Sequence, residues 1–107
     1  MTLASIDNQS VGTDYHPLGL RVILLKRTYV FPWSQFLYAE GGNDEVRLTF
    51  ATHDILIKGR NLNLLVAGIA SHGIAKLQEP ARADRFLNET GSFIREISVQ
   101  KIDQNQA

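Results

Sequence analysis

Three histidines, His16, His53 and His72, are the candidates for proton transfer near neutral pH or for nitrogen ligation of a metal. None stands in an HExxH pattern, so a zinc site would need further ligands assembled by the fold alone, and neither metal nor cofactor is expected. His53 precedes Asp54 in a turn, where the carboxylate most simply accepts neighbouring backbone N–H groups. Ser71 and His72 are adjacent, but neighbours on a helix point about 100° apart, which separates a nucleophile from its base. Gly68 and Gly73 have the glycine spacing of a phosphate loop, yet Ile74 and Ala75 stand where its lysine and hydroxyl residue are required. Glu40, Asp44 and Glu45 form a small acidic loop of the kind found in solvated turns. No catalytic residue is assigned.

The segment Tyr29, Phe31, Trp33, Phe36, Tyr38 offers two readings. Exposed, with Lys26 and Arg27 just before it, it would be a stacking platform for single-stranded nucleic acid. Buried, it would fill the centre of a small domain that has few other large side chains. A nucleic-acid-binding alternative takes in Lys26, Arg27, Lys58, Arg60 and Asn61, within a stretch whose basic residues outnumber its acidic ones by two. The run Ile57-Lys58-Gly59-Arg60-Asn61-Leu62, preceded by Ile55 and Leu56, resembles the second sequence motif of Sm-like proteins. That resemblance implies a uridine-binding pocket in a ring, with Lys58, Gly59 and Asn61 at the matching positions. The family's first motif is not recognisable around Phe36 to Leu48, and the family places its helix before the sheet. The same letters also make a strand end, with Gly59 turning the chain and Asn61 capping a helix.

Several elements must hold these residues in place. The alternation of Val46, Leu48 and Phe50 with Arg47 and Thr49 predicts a strand with one dry face. Residues 20 to 26 predict a strand covered on both faces, and 29 to 40 a strand interrupted at Pro32, which places it at an edge or a bulge. Glu40-Gly41-Gly42-Asn43-Asp44 predicts a hairpin loop. Ile55 and Ile57 form a further strand, and 93 to 102 the last. From Asn61 to about residue 78, Leu62, Leu65, Val66, Ile69, Gly73 and Leu77 recur at helical spacing. A shorter helix after Pro80, with Phe86 and Leu87 inward, would follow. The reading is an α+β fold: an antiparallel sheet of about five strands, in the order β-β-β-β-α-α-β, with one long amphipathic helix packed on one face. Residues 17–102 form the single domain, between flexible tails 1–16 and 103–107.

The chain has 107 residues, 11 basic and 11 acidic side chains and no cysteine, which excludes disulfide scaffolds, thiolate metal sites and a cysteine nucleophile. Zero net charge supplies no long-range field for polyanions or anionic lipid, so no membrane partner is expected. The first residues contain neither a basic region nor an apolar run of signal-peptide type, so a cytoplasmic location is the expectation. The predicted helix carries no charge between Asn61 and Ala75. Its outer positions Leu64, Gly68, Ser71 and Ala75 are therefore the expected interface. By elimination the leading expectation is a non-catalytic protein-association module, a homo-oligomer formed through that helix face or through an open sheet edge, with itself or another protein as partner.

Overall fold

A computed structural model describes residues 11–14, 17–71, 73–81 and 93–102. In chain order these form β1 (Val11–Thr13), β2 (Gly19–Ile23), β3 (Thr28–Pro32), a 3₁₀ turn (Trp33–Gln35), β4 (Phe36–Gly41), β5 (Glu45–Phe50), β6 (His53–Arg60), α1 (Asn63–Ala70), β7 (Ile74–Gln78) and β8 (Phe93–Lys101). The strands make two four-stranded sheets, ordered β1-β7-β2-β3 and β4-β5-β6-β8. The α+β expectation of one five-stranded sheet under a long helix is therefore wrong. The fold is mostly β, and its single helix among the described residues is eight residues long.

The error has a physical origin. The helix stops after Ala70, where Ser71 Oγ donates to Gly68 C=O at 3.0 Å and Gly73 N–H donates to the same carbonyl at 3.0 Å. The chain then enters β7, which runs parallel to β2 and antiparallel to β1. Thr13 pairs with Ile74 and Gly12 with Lys76, leaving Ala75 as a bulge. The bulge lets Ile74 and Leu77, three residues apart, both face the core. A bulged strand thus continues the spacing of a helix. Residues 11–13, read as tail, supply the edge strand β1. The second helix expected after Pro80 falls mostly outside the described residues.

The strand expected to be covered on both faces is β2, which leaves Arg21 exposed, whereas the dry face expected of β5 is present. Val46, Leu48 and Phe50 are fully buried from β5. They face Leu20, Val22, Phe31, Ile74 and Leu77 of the first sheet, while Leu62, Leu65 and Ile69 add the helix to the same core. The aromatic run divides at Pro32, so β3 and β4 belong to different sheets. Trp33 pins that corner by donating its indole N–H to Ile74 C=O at 3.0 Å.

Glu79 ties the two sheets together on another side. Its carboxylate accepts Leu25 N–H at 3.3 Å and Ile97 N–H at 3.2 Å, joining the β2–β3 turn to β8. Glu79→Ala removes both acceptors and is expected to cost about 1–2 kcal/mol. Faster amide exchange at Ile97 in the variant checks this; unchanged exchange there refutes the bridge.

Candidate functional site

Two surfaces gather residues that the sequence scatters. The first is an open groove of about 480 Å³ lined by Asp44, Glu45, Lys58, Gly59, Arg60, Arg95 and Glu96. Backbone bonds build it: Gly59 N–H donates to Asp44 C=O at 3.0 Å and Leu62 N–H to Asn43 C=O at 2.9 Å. The β4–β5 turn is thereby strapped to the corner between β6 and α1. Asn61 makes that corner with φ of 55°, a left-handed conformation that asparagine tolerates better than most residues. It turns the chain; the helix cap is Leu62, with no side-chain cap bond. Across the groove Lys58 pairs in register with Glu96 and Gly59 with Ile94, so Arg95 is the bulged residue.

The groove's electrostatics are balanced. Lys58 lies between Glu45 and Glu96 in the strand register and approaches the Glu96 carboxylate to 3.9 Å. Both side chains are about half exposed, so solvent screens the pair. Lys58, Arg60 and Arg95 are matched on the groove wall by Asp44, Glu45 and Glu96. Such a wall presents charges of both signs and no field that would select an anion.

The second surface is the β3 edge of the first sheet, with which no strand pairs among the described residues. Trp33 N–H donates to Leu18 C=O at 3.0 Å and Leu24 N–H to Arg27 C=O at 2.8 Å. With Leu20 opposite Phe31 and Val22 opposite Tyr29, these bonds set the phase of the β2–β3 ladder. Antiparallel pairs alternate in bonding, so the N–H and C=O groups of Thr28 and Val30 point away from β2. Pro32 shares their phase, on the side of the strand where its missing N–H costs no ladder bond. Val30 is 70% exposed, and Leu37 and Tyr38 at the start of the next edge strand are 62% and 51% exposed.

The other edges differ. β8 meets the Glu79 carboxylate at Ile97. The β4 edge is distorted by a bulge between Phe36 and Tyr38, and β1 has three residues and a bulge. Bulges and short strands blunt an edge against pairing. β3 has neither.

The remaining expected residues lie apart. Lys26 and Arg27 sit exposed in the β2–β3 turn, on the other sheet from Lys58 and Arg60, so the five residues of the nucleic-acid reading do not form one surface. Arg27 Nη1 donates to Tyr29 Oη at 3.4 Å, a bond that, with the charge attraction of the phenol oxygen, raises the guanidinium pKa. Leu64 is exposed on α1, Gly68 is buried, Ser71 follows the helix and Ala75 is the β7 bulge. These four share no helix face. The aromatic run is largely core: Phe31 and Trp33 are buried, and the rings of Phe31, Trp33 and Phe36 lie 5.1, 5.7 and 5.4 Å from that of Phe50. His53 is half-buried, its ring 5.3 Å from Phe31 and 5.8 Å from Tyr29, and its Nδ1 bonds Thr52 Oγ1 at 2.7 Å. Asp54 accepts Thr49 Oγ1–H at 2.8 Å. His16 and His72 are outside the described residues, among which no group of three potential metal ligands occurs.

Arg21 and Lys76 belong to no motif, yet the parallel pairing of β2 with β7 makes them direct neighbours. No signal in the sequence announces that pairing. The chain matches no protein-family model, no curated protein and no solved structure. No helix among the described residues is long and apolar enough to cross a membrane.

Proposed function

We propose that this protein works by association, pairing with a second copy of itself through the open edge of β3. The observation that carries the reading is the conjunction on one strand of outward backbone groups at Thr28 and Val30 with an exposed apolar side chain at Val30. Antiparallel pairing about a two-fold axis at Val30 lets each Val30 N–H bond the C=O of the partner's Val30. Thr28 N–H then reaches the C=O of the partner's Pro32. Pro32 lacks the reciprocal donor, which limits the ladder and fixes its register. Two four-stranded sheets become one continuous sheet, and a two-fold contact of this kind closes on itself. The helix-face route is not part of the proposal, because its residues are dispersed.

Val30→Arg tests the reading. The substitution leaves the core untouched and sets two like charges opposite each other at the two-fold axis. Light scattering is expected to give a dimer mass for the parent protein and a monomer mass for the variant, with unchanged circular dichroism. A parent that is monomeric at all concentrations, or a variant that stays dimeric, overturns it. Oligonucleotide binding that falls steeply with salt, by a monomeric parent, would replace self-association with nucleic-acid recognition.

A further inference from the structure

Among the described residues the first sheet differs in charge from the second. Gly12, Lys76, Arg21 and Val30 form one cross-strand row over β1, β7, β2 and β3. Lys76 extends across the edge strand: a Cβ on Gly12 would lie 3.0 Å from Lys76 Cβ and 3.5 Å from Cε. Lys26 adds a cation at the β2–β3 turn, where Arg27 leans the other way, its guanidinium on the hydroxyl of the inward-turned Tyr29. Arg21, Lys26 and Lys76 make no ion pair among the described residues. On the second sheet, by contrast, Arg47 lies 4.0 Å from Glu40 and Lys58 3.9 Å from Glu96. The described acids on the first sheet's side are Asp14 and Glu79, and the Glu79 carboxylate is held by Leu25 and Ile97 N–H. Among the described residues the second sheet and its turns carry five basic and five acidic side chains and the first sheet four basic and two acidic; the other two basic and four acidic residues of the neutral chain lie outside the described residues.

Aliphatic side chains accompany these cations. Val30 stands beside Arg21 and is 70% exposed, and Leu25, beyond the end of β2, is 49% exposed. Tyr29 and Phe31 turn inward against His53, so neither offers a ring for base stacking on this face. We propose that the outer face of the first sheet docks on an anionic lipid surface, its cations against the headgroups and its exposed aliphatic side chains in the interfacial layer. Charge complementarity and the accompanying aliphatic groups favour lipid over a nucleic-acid strand, which would use the charges but leave Val30 and Leu25 in water. The docking does not depend on self-association. A dimer paired through β3 has its two-fold axis normal to the sheet, which places both basic faces on the same side and doubles the contact.

The test is co-sedimentation with phosphatidylcholine vesicles, with and without phosphatidylserine, at about 0.1 and 0.5 M salt, where the Debye length falls from ~10 Å to under half of that. Binding is expected only with phosphatidylserine and is lost at the higher salt. Each cation near such a surface contributes about fivefold, so Arg21→Glu with Lys76→Glu is expected to weaken binding at least 25-fold, roughly the product of two such factors. Lys26→Glu, in an exposed turn, gives a second variant that does not load the sheet. Equal binding to both vesicle types, no binding, or unchanged binding by both charge variants overturns the proposal. So does salt-sensitive capture of an oligonucleotide without capture of vesicles. The parent protein separates the two proposals: a monomer that binds phosphatidylserine vesicles retains lipid docking alone, whereas a dimer that binds no vesicles retains self-association alone.

Discussion

Gly41→Ala is expected to lower the melting temperature by roughly 12–24 °C, from a loss of about 3 kcal/mol at ~4–8 °C per kcal/mol. Gly41 ends β4 with φ of 151°, a conformation that L side chains rarely adopt. A Cβ there collides with the C=O of Glu45 and lies 2.7 Å from Val46 Cα, both backbone atoms of the opposing strand. Neither can move without breaking the β4–β5 ladder. The neighbouring Gly42 is the internal control, since a Cβ on it meets nothing within 4 Å. Gly42→Ala should melt with the parent protein. The effect also reaches the groove, because the carbonyls of Asn43 and Asp44 hold the amides of Leu62 and Gly59. Hydrogen exchange at those two amides should quicken in Gly41→Ala. Equal melting of the two alanine variants would refute the close approach.

Trp33→Ala is expected to cost about 3–5 kcal/mol, a large share of the ~5–15 kcal/mol that stabilises a domain of this size. The indole is 6% exposed, and its ring lies 5.2 Å from Phe36 edge-on and 5.7 Å from Phe50. Its N–H satisfies the buried carbonyl of Ile74, so the residue holds the 3₁₀ corner against β7 as well as filling space. Trp33→Phe separates these roles: a ring remains, the donor is lost, and about 1–2 kcal/mol is expected from the carbonyl left without that partner. Urea unfolding of the two variants measures the difference. If phenylalanine matches tryptophan, the hydrogen bond carries nothing. If alanine costs under about 1 kcal/mol, well below the usual cost of a buried aromatic truncation, the corner is not part of the core.

Pro32 shows how much a single residue type can reveal about an association surface. Its missing N–H argues for an edge on chemical grounds alone, and β3 is an edge strand with Pro32 in its outward phase. The loop at Glu40 to Asp44 was equally legible, because two glycines beside asparagine and aspartate name a reversal by their backbone preferences alone. Which of the four sheet edges stays open was not legible. It depends on Glu79 reaching Ile97, eighteen residues away along the chain, and on bulges at Gly12/Thr13 and Phe36/Tyr38.

Asn61 illustrates the intermediate case. The sequence reading makes Asn61 a helix cap and Gly59 the turn, whereas in the structure Leu62 is the N-cap, Gly59 lies within β6 and Asn61, with φ of 55°, makes the corner. Only the strap from Asn43 to Leu62 selects the corner. The Sm-like resemblance covers this same strand end and corner. The structure gives those letters a local task, leading β6 into α1 beside a groove of balanced charge.

What the sequence alone determined about this protein is what neighbours in the chain decide. The dry face of β5, the turn after β4 and the edge character of Pro32 follow from period-two burial, glycine conformation and a missing donor. What the tertiary structure decided is whatever depends on pairing between distant segments. Residues 74–78 carry apolar side chains at a spacing that fits a helix and a bulged strand equally well, and the slot between β1 and β2 makes them a strand. The same pairing sets Lys76 beside Arg21, two like charges side by side in a chain of zero net charge. Charge summed along a sequence carries no information about faces, because side chains alternate between the two sides of a strand and only the strand order says which of them meet.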